Sequence, residues 1–149
     1  MPHDTTNEIV YAERVIHATP SQVFDVLADP RMHRVFDGSG SVRDPQGRYP
    51  DRLSLGAKFN MGMRIGLPYR MTNTVVEFEE GSRIGWRHVG GHVWRYILTP
   101  EGTGTRVREE FDYSTNRARP LLKAMNAVVR NEQSIVATLA NLERHFSAS

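Results

Sequence analysis

The sequence predicts an α+β fold in which a curved antiparallel sheet of about seven strands closes around a long C-terminal helix. Between residues 58 and 113, apolar and polar residues alternate in segments separated by glycine-containing turns, the pattern of half-buried strands. Residues 119–145 then carry apolar side chains at steps of three and four, the period of a helix. A lone amphipathic helix after an antiparallel meander must bury its apolar stripe, and the concave face of the sheet is the obvious surface.

The first quarter of the chain supplies a strand and two short helices. Residues 8–18 are rich in β-branched residues and predict the first strand. A threonine and a proline at positions 19 and 20 are typical of a helix start, and the Asp-Pro pair at 29–30 ends that helix. A second short helix is predicted over Arg31–Phe36, before the break at Asp37–Gly40.

The remaining strands, about six in number, are followed by one long helix over about Arg119–His145. Within the strand that begins near Tyr69 the alternation changes phase, and a bulge would reconcile its two halves. The apolar positions of the final helix form one stripe: Leu121, Met125, Val128, Ile135, Leu139, Leu142 and Phe146.

Composition excludes several classes of protein. A chain of 149 residues predicts a single domain spanning 1–149, and its 19 basic and 17 acidic residues are interleaved rather than gathered into a nucleic-acid-binding face. The absence of cysteine excludes disulfides and fits a cytoplasmic location. No apolar run is long enough for a membrane span, and the polar Met1–Asn7 segment does not look like a signal peptide. The sequence leaves monomer and homodimer open.

Several segments resemble a known superfamily. Val15–Pro30 is similar to the first strand and helix of the helix-grip (SRPBCC) superfamily, which contains START lipid-transfer domains, birch-pollen allergens and polyketide cyclases. Asp37–Gly40, Trp94–Tyr96 and Gly104–Val107 are similar to its bacterial polyketide cyclase/dehydrase-like branch. The resemblance extends from about Glu8 to Phe146. It implies a helix-grip fold with a ligand cavity between the sheet and the last helix, without naming the ligand, since the superfamily includes enzymes, carriers and sensors.

The inward-facing side chains are the candidates for that cavity. Their aromatic and methionine content suits an adaptable apolar site, although the same residues would also fill an ordinary core. The candidate ligand-binding residues are Phe59, Met61, Met63, Tyr69, Trp86, His88, Trp94, Tyr96, Glu109, Phe111, Met125, Val128 and Arg14.

Two charged residues share the predicted inward phase. Arg14 is in phase with Ile16, and Glu109 is in phase with Val107 and Phe111. If the first and last strands are neighbours, the two charges could meet, either as a structural salt bridge or as a polar anchor or acid/base group for a ligand. A nearby guanidinium would keep the carboxylate ionised. Glu132, on the helix stripe, is a third candidate.

Metal and cofactor chemistry is not expected. His88 and His92 flank a turn and could come close, but a third ligand is not visible, so we predict no metal site and no cofactor. Three functions stay open at this point: binding of a lipid, polyketide or aromatic metabolite; a polyketide cyclase, aromatase or dehydratase; and a regulatory partner gated by its ligand.

Overall fold

The strand order of the sheet confirms the predicted architecture. The structure, a computed structural model, describes residues 3–4, 8–40, 42–65, 67–116, 120 and 127–147. Its eight antiparallel strands follow the order β1-β2-β8-β7-β6-β5-β4-β3, so the first and last long strands are neighbours as expected. The strands are β1 (His3–Asp4), β2 (Ile9–Ile16), β3 (Val42–Gln46), β4 (Lys58–Ile65), β5 (Leu67–Glu79), β6 (Arg83–His88), β7 (Val93–Glu101) and β8 (Gly104–Asp112).

The α-helices whose bounds lie in the described part of the chain are α1 (Pro20–Leu27), α2 (His33–Phe36) and α3 (Ala127–Ser147). The predicted helix start at Thr19 is confirmed, because its side chain accepts from the Gln22 backbone while the Gln22 side chain accepts from the Thr19 backbone. A single 3-10 turn, Pro30–Met32, precedes α2, so the second predicted helix begins as a tighter turn.

Two strands were not located from the sequence. β1 is a two-residue strand paired with the start of β2. β3 contains Pro45 and lies at the other edge of the sheet, paired only with β4. A proline cannot donate to a central ladder but is tolerated at an edge, so this polar segment looks like a loop in sequence and becomes a strand through its partner.

The predicted bulge is present in β5. Val75 lies opposite Trp86, whereas Glu77 lies opposite Gly85, so β5 contains one extra residue relative to β6. This extra residue changes which side chains face inward and accounts for the two phases in the sequence pattern.

The apolar stripe of α3 packs chiefly against β2, β8 and α2. Four of its predicted members are buried: Val128, Ile135, Leu139 and Leu142. Phe146 packs against the same core, whereas Leu121 and Met125 lie outside the described residues.

The loop after α2 is fixed to α3 at Gly38. Its backbone N–H donates to Thr138 Oγ1 at 2.8 Å, and a Cβ at Gly38 would lie 2.6 Å from Ala137 Cβ and from the Ser134 carbonyl oxygen. Only glycine permits this approach. The Asn141 amide adds a hydrogen bond to the Phe36 carbonyl at 3.2 Å.

Truncation of the helix stripe should therefore destabilise the fold strongly. Leu139→Ala should lower the free energy of unfolding by about 2–5 kcal/mol, because Leu139 is fully packed. Met63→Ala should cost less, because Met63 is only partly buried and borders an empty volume. Urea unfolding of the two variants tests this, and equal large losses would indicate a solid core at both positions.

Candidate ligand-binding cavity

A cavity of about 250 Å³ lies between the concave face of β4–β8, the loop after α2, and one side of α3. Its lining combines aromatic, methionine and uncharged polar side chains with two acids: His33, Phe36, Asp37, Ser39, Val42, Phe59, Met61, Met63, Met71, Asn73, Trp86, His88, His92, Trp94, Tyr96, Glu109, Asn131, Ser134 and Thr138.

Trp86 is the centre of the aromatic wall. The His33 ring stacks on it at 4.7 Å between centroids, Phe59 meets it edge-on at 5.9 Å, and Tyr96 lies 5.7 Å away. These rings come from α2, β4, β6 and β7. The cavity wall is therefore set by the register of the sheet and by the position of α2 over it.

Glu109 is the most unusual group in the cavity. It lies opposite Tyr96 in the β7–β8 pair, and the Tyr96 hydroxyl donates to Oε2 at 2.9 Å. The other oxygen, Oε1, is buried and has no hydrogen-bond partner among the described residues. Burial raises the pKa of Glu109 well above its ordinary value, the Tyr96 hydrogen bond opposes this, and the charge of Asp37 adds to it. Burial therefore favours the uncharged carboxylic acid over the carboxylate at this position.

The predicted pairing of Arg14 with Glu109 is wrong. Arg14 has the expected phase, but it lies opposite Val107, while Glu109 lies opposite Ala12. The long Arg14 side chain instead reaches Glu143 on α3, with its Nε 2.5 Å from Oε2 in a largely exposed ion pair. The ionised Glu109 was expected only as a consequence of pairing with Arg14, and the partner of its carboxyl is the Tyr96 hydroxyl instead.

His33 was not recognised from the sequence. It is 5% exposed, and its Nε2–H donates to the Leu27 carbonyl at 3.0 Å, since a carbonyl only accepts. Burial lowers the pKa of His33 to about 4, so the ring is neutral and keeps an unprotonated Nδ1.

His88 and His92 do come close, as the sequence suggested. Their rings stack at 4.3 Å between centroids with an angle of 14° between planes, and both line the cavity. Among the described residues, no group of three or more histidine, aspartate or glutamate side chains could hold a metal ion.

Eight of the predicted site residues line the cavity: Phe59, Met61, Met63, Trp86, His88, Trp94, Tyr96 and Glu109. Phe111 is buried beside Trp94, with ring centroids 4.7 Å apart, and Val128 is buried in the core. Neither of them lines the cavity. Glu132 is half-buried on α3 and is likewise not among them. The side chains of Tyr69 and Met125 lie outside the described part of the chain.

The residues that sequence reasoning missed come mainly from α3 and the α2 loop. Asn131, Ser134 and Thr138 follow each other at helical spacing beside the apolar stripe, so the helix contributes a polar edge to the cavity. That spacing was the available signal, whereas Asp37, Ser39 and Val42 had none, because only the tertiary fold brings their loop over the sheet.

The comparison with known families agrees with this geometry. Residues 8–147 match the family described as polyketide cyclase / dehydrase and lipid transport. The chain belongs to this family. Membership supports a hydrophobic ligand-binding or cyclase-type role, and it accounts for the helix-grip fold.

Two curated sequence relatives match most of the chain, and their names give no ligand. Over 140 residues the chain is 36% identical to the uncharacterized protein Rv0088 of Mycobacterium tuberculosis strain H37Rv, and 35% identical to the uncharacterized protein MT0096 of strain CDC 1551. In both cases 89% of this chain is matched, and the chain spans 61% of the length of these curated relatives.

Solved structures share the fold at low identity. Protein NE0264 from Nitrosomonas europaea superposes with a TM-score of 0.75 at 18% identity, covering 97% of each chain. A protein from Arthrobacter aurescens gives 0.76 at 14% identity, covering 98% of this chain and 90% of the other. None of the helices in the described ranges is long and apolar enough to cross a membrane.

The buried carboxyl should be visible in the pH dependence of stability. In the unfolded chain Glu109 ionises near its ordinary pKa of 4.5, whereas in the native state it stays protonated to higher pH. The native state therefore loses stability as pH rises above 4.5, by up to about 1.4 kcal/mol per pH unit until the native pKa is reached. Glu109→Gln lacks this loss.

Urea unfolding of both proteins from about pH 5 to about pH 8 measures the difference. The stability of the unsubstituted protein relative to Glu109→Gln should fall as pH rises. His33 and His92 are common to both proteins, so their titration cancels. A difference that is flat or grows with pH would mean that Glu109 is ionised in the native state.

Proposed function

We propose that this protein binds a compact, mostly apolar small molecule that carries at least one oxygen function, in the cavity between the sheet and α3. The observation that carries the proposal is the combination of aromatic and methionine walls with one buried carboxyl oxygen that lacks a partner in the described chain. Family membership supports a hydrophobic ligand or a cyclase-type substrate.

The volume favours a small occupant. Ligand pockets commonly measure about 300–1,000 Å³, and this cavity, at about 250 Å³, falls just below that range. An aromatic metabolite or a short polyketide suits this volume better than a long-chain lipid. The rings of Trp86 and Phe59 offer flat apolar surfaces to such a ligand.

Glu109 favours a ligand that carries a polar group. A buried polar atom without a partner costs about 1–3 kcal/mol, so Oε1 favours an occupant that restores a hydrogen bond. As a neutral acid it can donate to a ligand carbonyl or hydroxyl, while Oε2 stays bonded to Tyr96. The expected ligand is thus apolar over most of its surface and oxygenated where it meets Glu109.

The same carboxyl favours a second candidate, a dehydratase or cyclase acting on a polyketide-like substrate. A carboxylic acid kept neutral at pH 7 by burial can act as a general acid. In a dehydration, Glu109 would protonate a hydroxyl that leaves as water. The resulting carboxylate, held by the Tyr96 hydroxyl, would take the proton lost from the substrate's α-carbon and so return to its starting state.

Binding is tested with 2-naphthol and naphthalene. Both should quench the emission of Trp86 and Trp94, which line the cavity, in a saturable way, and 2-naphthol should bind more tightly because its hydroxyl can pair with Glu109. Met63→Trp should abolish binding by filling the cavity. Val129→Trp, at an exposed position on α3, is the matched control and should bind normally. Absence of saturable quenching, or normal binding by Met63→Trp, would contradict the proposal.

Glu109→Gln separates the two candidate functions. The amide keeps the shape and hydrogen-bonding capacity of the carboxyl but cannot supply a proton. If the protein is an enzyme, loss of water from a β-hydroxy aryl ketone, followed by ultraviolet absorbance, should occur with the unsubstituted protein and be lost in this variant, while 2-naphthol still binds. If the protein only binds, neither form should turn the ketone over.

A further inference from the structure

A second group of polar side chains lines the same cavity, away from Glu109. His92 precedes Tyr96, the partner of Glu109, by four residues of extended chain, so their backbone positions are about 13 Å apart. His88, on the neighbouring strand, stacks on His92. Asn73, which lies opposite His88 on β5 and is 8% exposed, adds a buried amide at this end.

Hydrogen bonds to Nδ1 fix the tautomer of both imidazoles. The Gly90 backbone N–H donates to His88 Nδ1 at 2.8 Å, and the Asn116 amide nitrogen donates to His92 Nδ1 at 2.8 Å. A nitrogen that accepts a hydrogen bond carries no proton, so each neutral ring has its hydrogen on Nε2.

The Nδ1 edges of both rings face the region of Gly90, in the turn between β6 and β7. A Cβ at Gly90 would lie 3.1 Å from His88 Nδ1 and 3.3 Å from the Asn116 amide nitrogen, so the two accepting edges share one side. Both rings also line the cavity. Because Nδ1 of each ring is already hydrogen-bonded, Nε2–H is the polar group that each ring has left for a ligand.

Both rings stay uncharged. Burial lowers the pKa of His88, and burial together with the neighbouring His88 lowers the pKa of His92 to about 3. A second proton on either ring would have to sit on Nδ1, where an N–H group already points at it. The pair therefore offers two neutral donors.

We infer that His88 and His92 form a two-donor subsite that receives an acceptor oxygen of the ligand, a ketone carbonyl or a carboxylate. This inference rests on the proposed ligand-binding function and adds a second recognition point, distant from Glu109. These tautomers also argue against a metal site at the pair. A metal ion would bind the lone pair of Nε2, which is absent when Nε2 carries a hydrogen.

Asn116→Asp is the variant that tests the subsite. A carboxylate only accepts, so His92 would have to donate from Nδ1, and at a pH high enough to keep the ring neutral it then loses the hydrogen on Nε2. The change keeps the size of the side chain but converts one cavity donor into an acceptor. His92→Phe, which keeps a stacked ring without any N–H, is the second variant in case the aspartate disturbs the fold.

The probes are acetophenone and ethylbenzene, which have nearly the same shape and differ in the carbonyl. Tryptophan quenching should show the unsubstituted protein favouring acetophenone by about fivefold, the worth of one hydrogen bond. Asn116→Asp and His92→Phe should bring that ratio near one, whereas Val129→Trp, at an exposed position outside the cavity, should leave it unchanged. A benzoate titration of the unsubstituted protein distinguishes a carboxylate from a ketone as the preferred acceptor.

Nitrogen-15 NMR of the histidine side chains reports which ring nitrogen carries the hydrogen and whether it is hydrogen-bonded. A purely structural role of the two rings would not change these signals. Before any ligand is added, both rings should give the Nε2–H pattern, His92 should change pattern in Asn116→Asp, and acetophenone should shift the Nε2–H signals. Zn²⁺ alone should leave these signals unshifted.

The remaining outcomes overturn either the subsite alone or the subsite together with the proposed function. Nδ1–H tautomers in the unsubstituted protein, Zn²⁺ binding at Nε2, or an acetophenone preference that persists in both variants would overturn the subsite. Equal binding of the two probes with unshifted histidine signals would overturn the subsite alone. Failure of both probes to bind would overturn the proposed function together with it.

Discussion

The packing of α3 on one part of the sheet is the constraint on which the rest of the structure depends. Its buried stripe lies chiefly on β2, β8 and α2, and the contact at Gly38 fixes the α2 loop to the same helix. The concave surface of β4–β7 is therefore covered by large side chains and a cavity rather than by the apolar side of α3. The edge of α3 that faces this volume is polar, with Asn131, Ser134 and Thr138.

The ion pairs of Arg95 and the carboxyl of Glu109 lie on opposite faces of the sheet. On the convex face Arg95 contacts Glu77, Glu110 and Asp112, so buried carboxylates there are paired with a cation. Glu109, the residue before Glu110, points to the other face. Among the described residues, its carboxyl is hydrogen-bonded only to the Tyr96 hydroxyl. Two adjacent glutamates thus differ in chemistry because a strand alternates its side chains. With Glu109 uncharged and the imidazoles donating from Nε2, as proposed, the cavity would suit an uncharged or weakly acidic ligand with separated oxygens.

Sequence patterns predicted the parts of this site that depend on local periodicity. Alternation placed Phe59, Trp86 and Glu109 on the inner face, and the change of phase in β5 located its bulge, because side-chain direction in a strand repeats every two residues. The same patterns do not predict which residues from distant segments of the chain contact each other. Arg14 had the right phase but the wrong partner, since register and side-chain reach decide contacts. His33 and the histidine tautomers depend on α2 and on turns that only the tertiary structure brings over the cavity.

The central claim is that the cavity contains an uncharged carboxylic acid with one oxygen available to a ligand. An infrared difference spectrum between the unsubstituted protein and Glu109→Gln at neutral pH measures this directly. We expect a carbonyl-stretch band of a protonated carboxyl in the unsubstituted protein, absent from the variant, at the frequency of an acid in apolar surroundings. A spectrum in which the substitution removes only carboxylate bands would show that Glu109 is ionised, and would contradict the account.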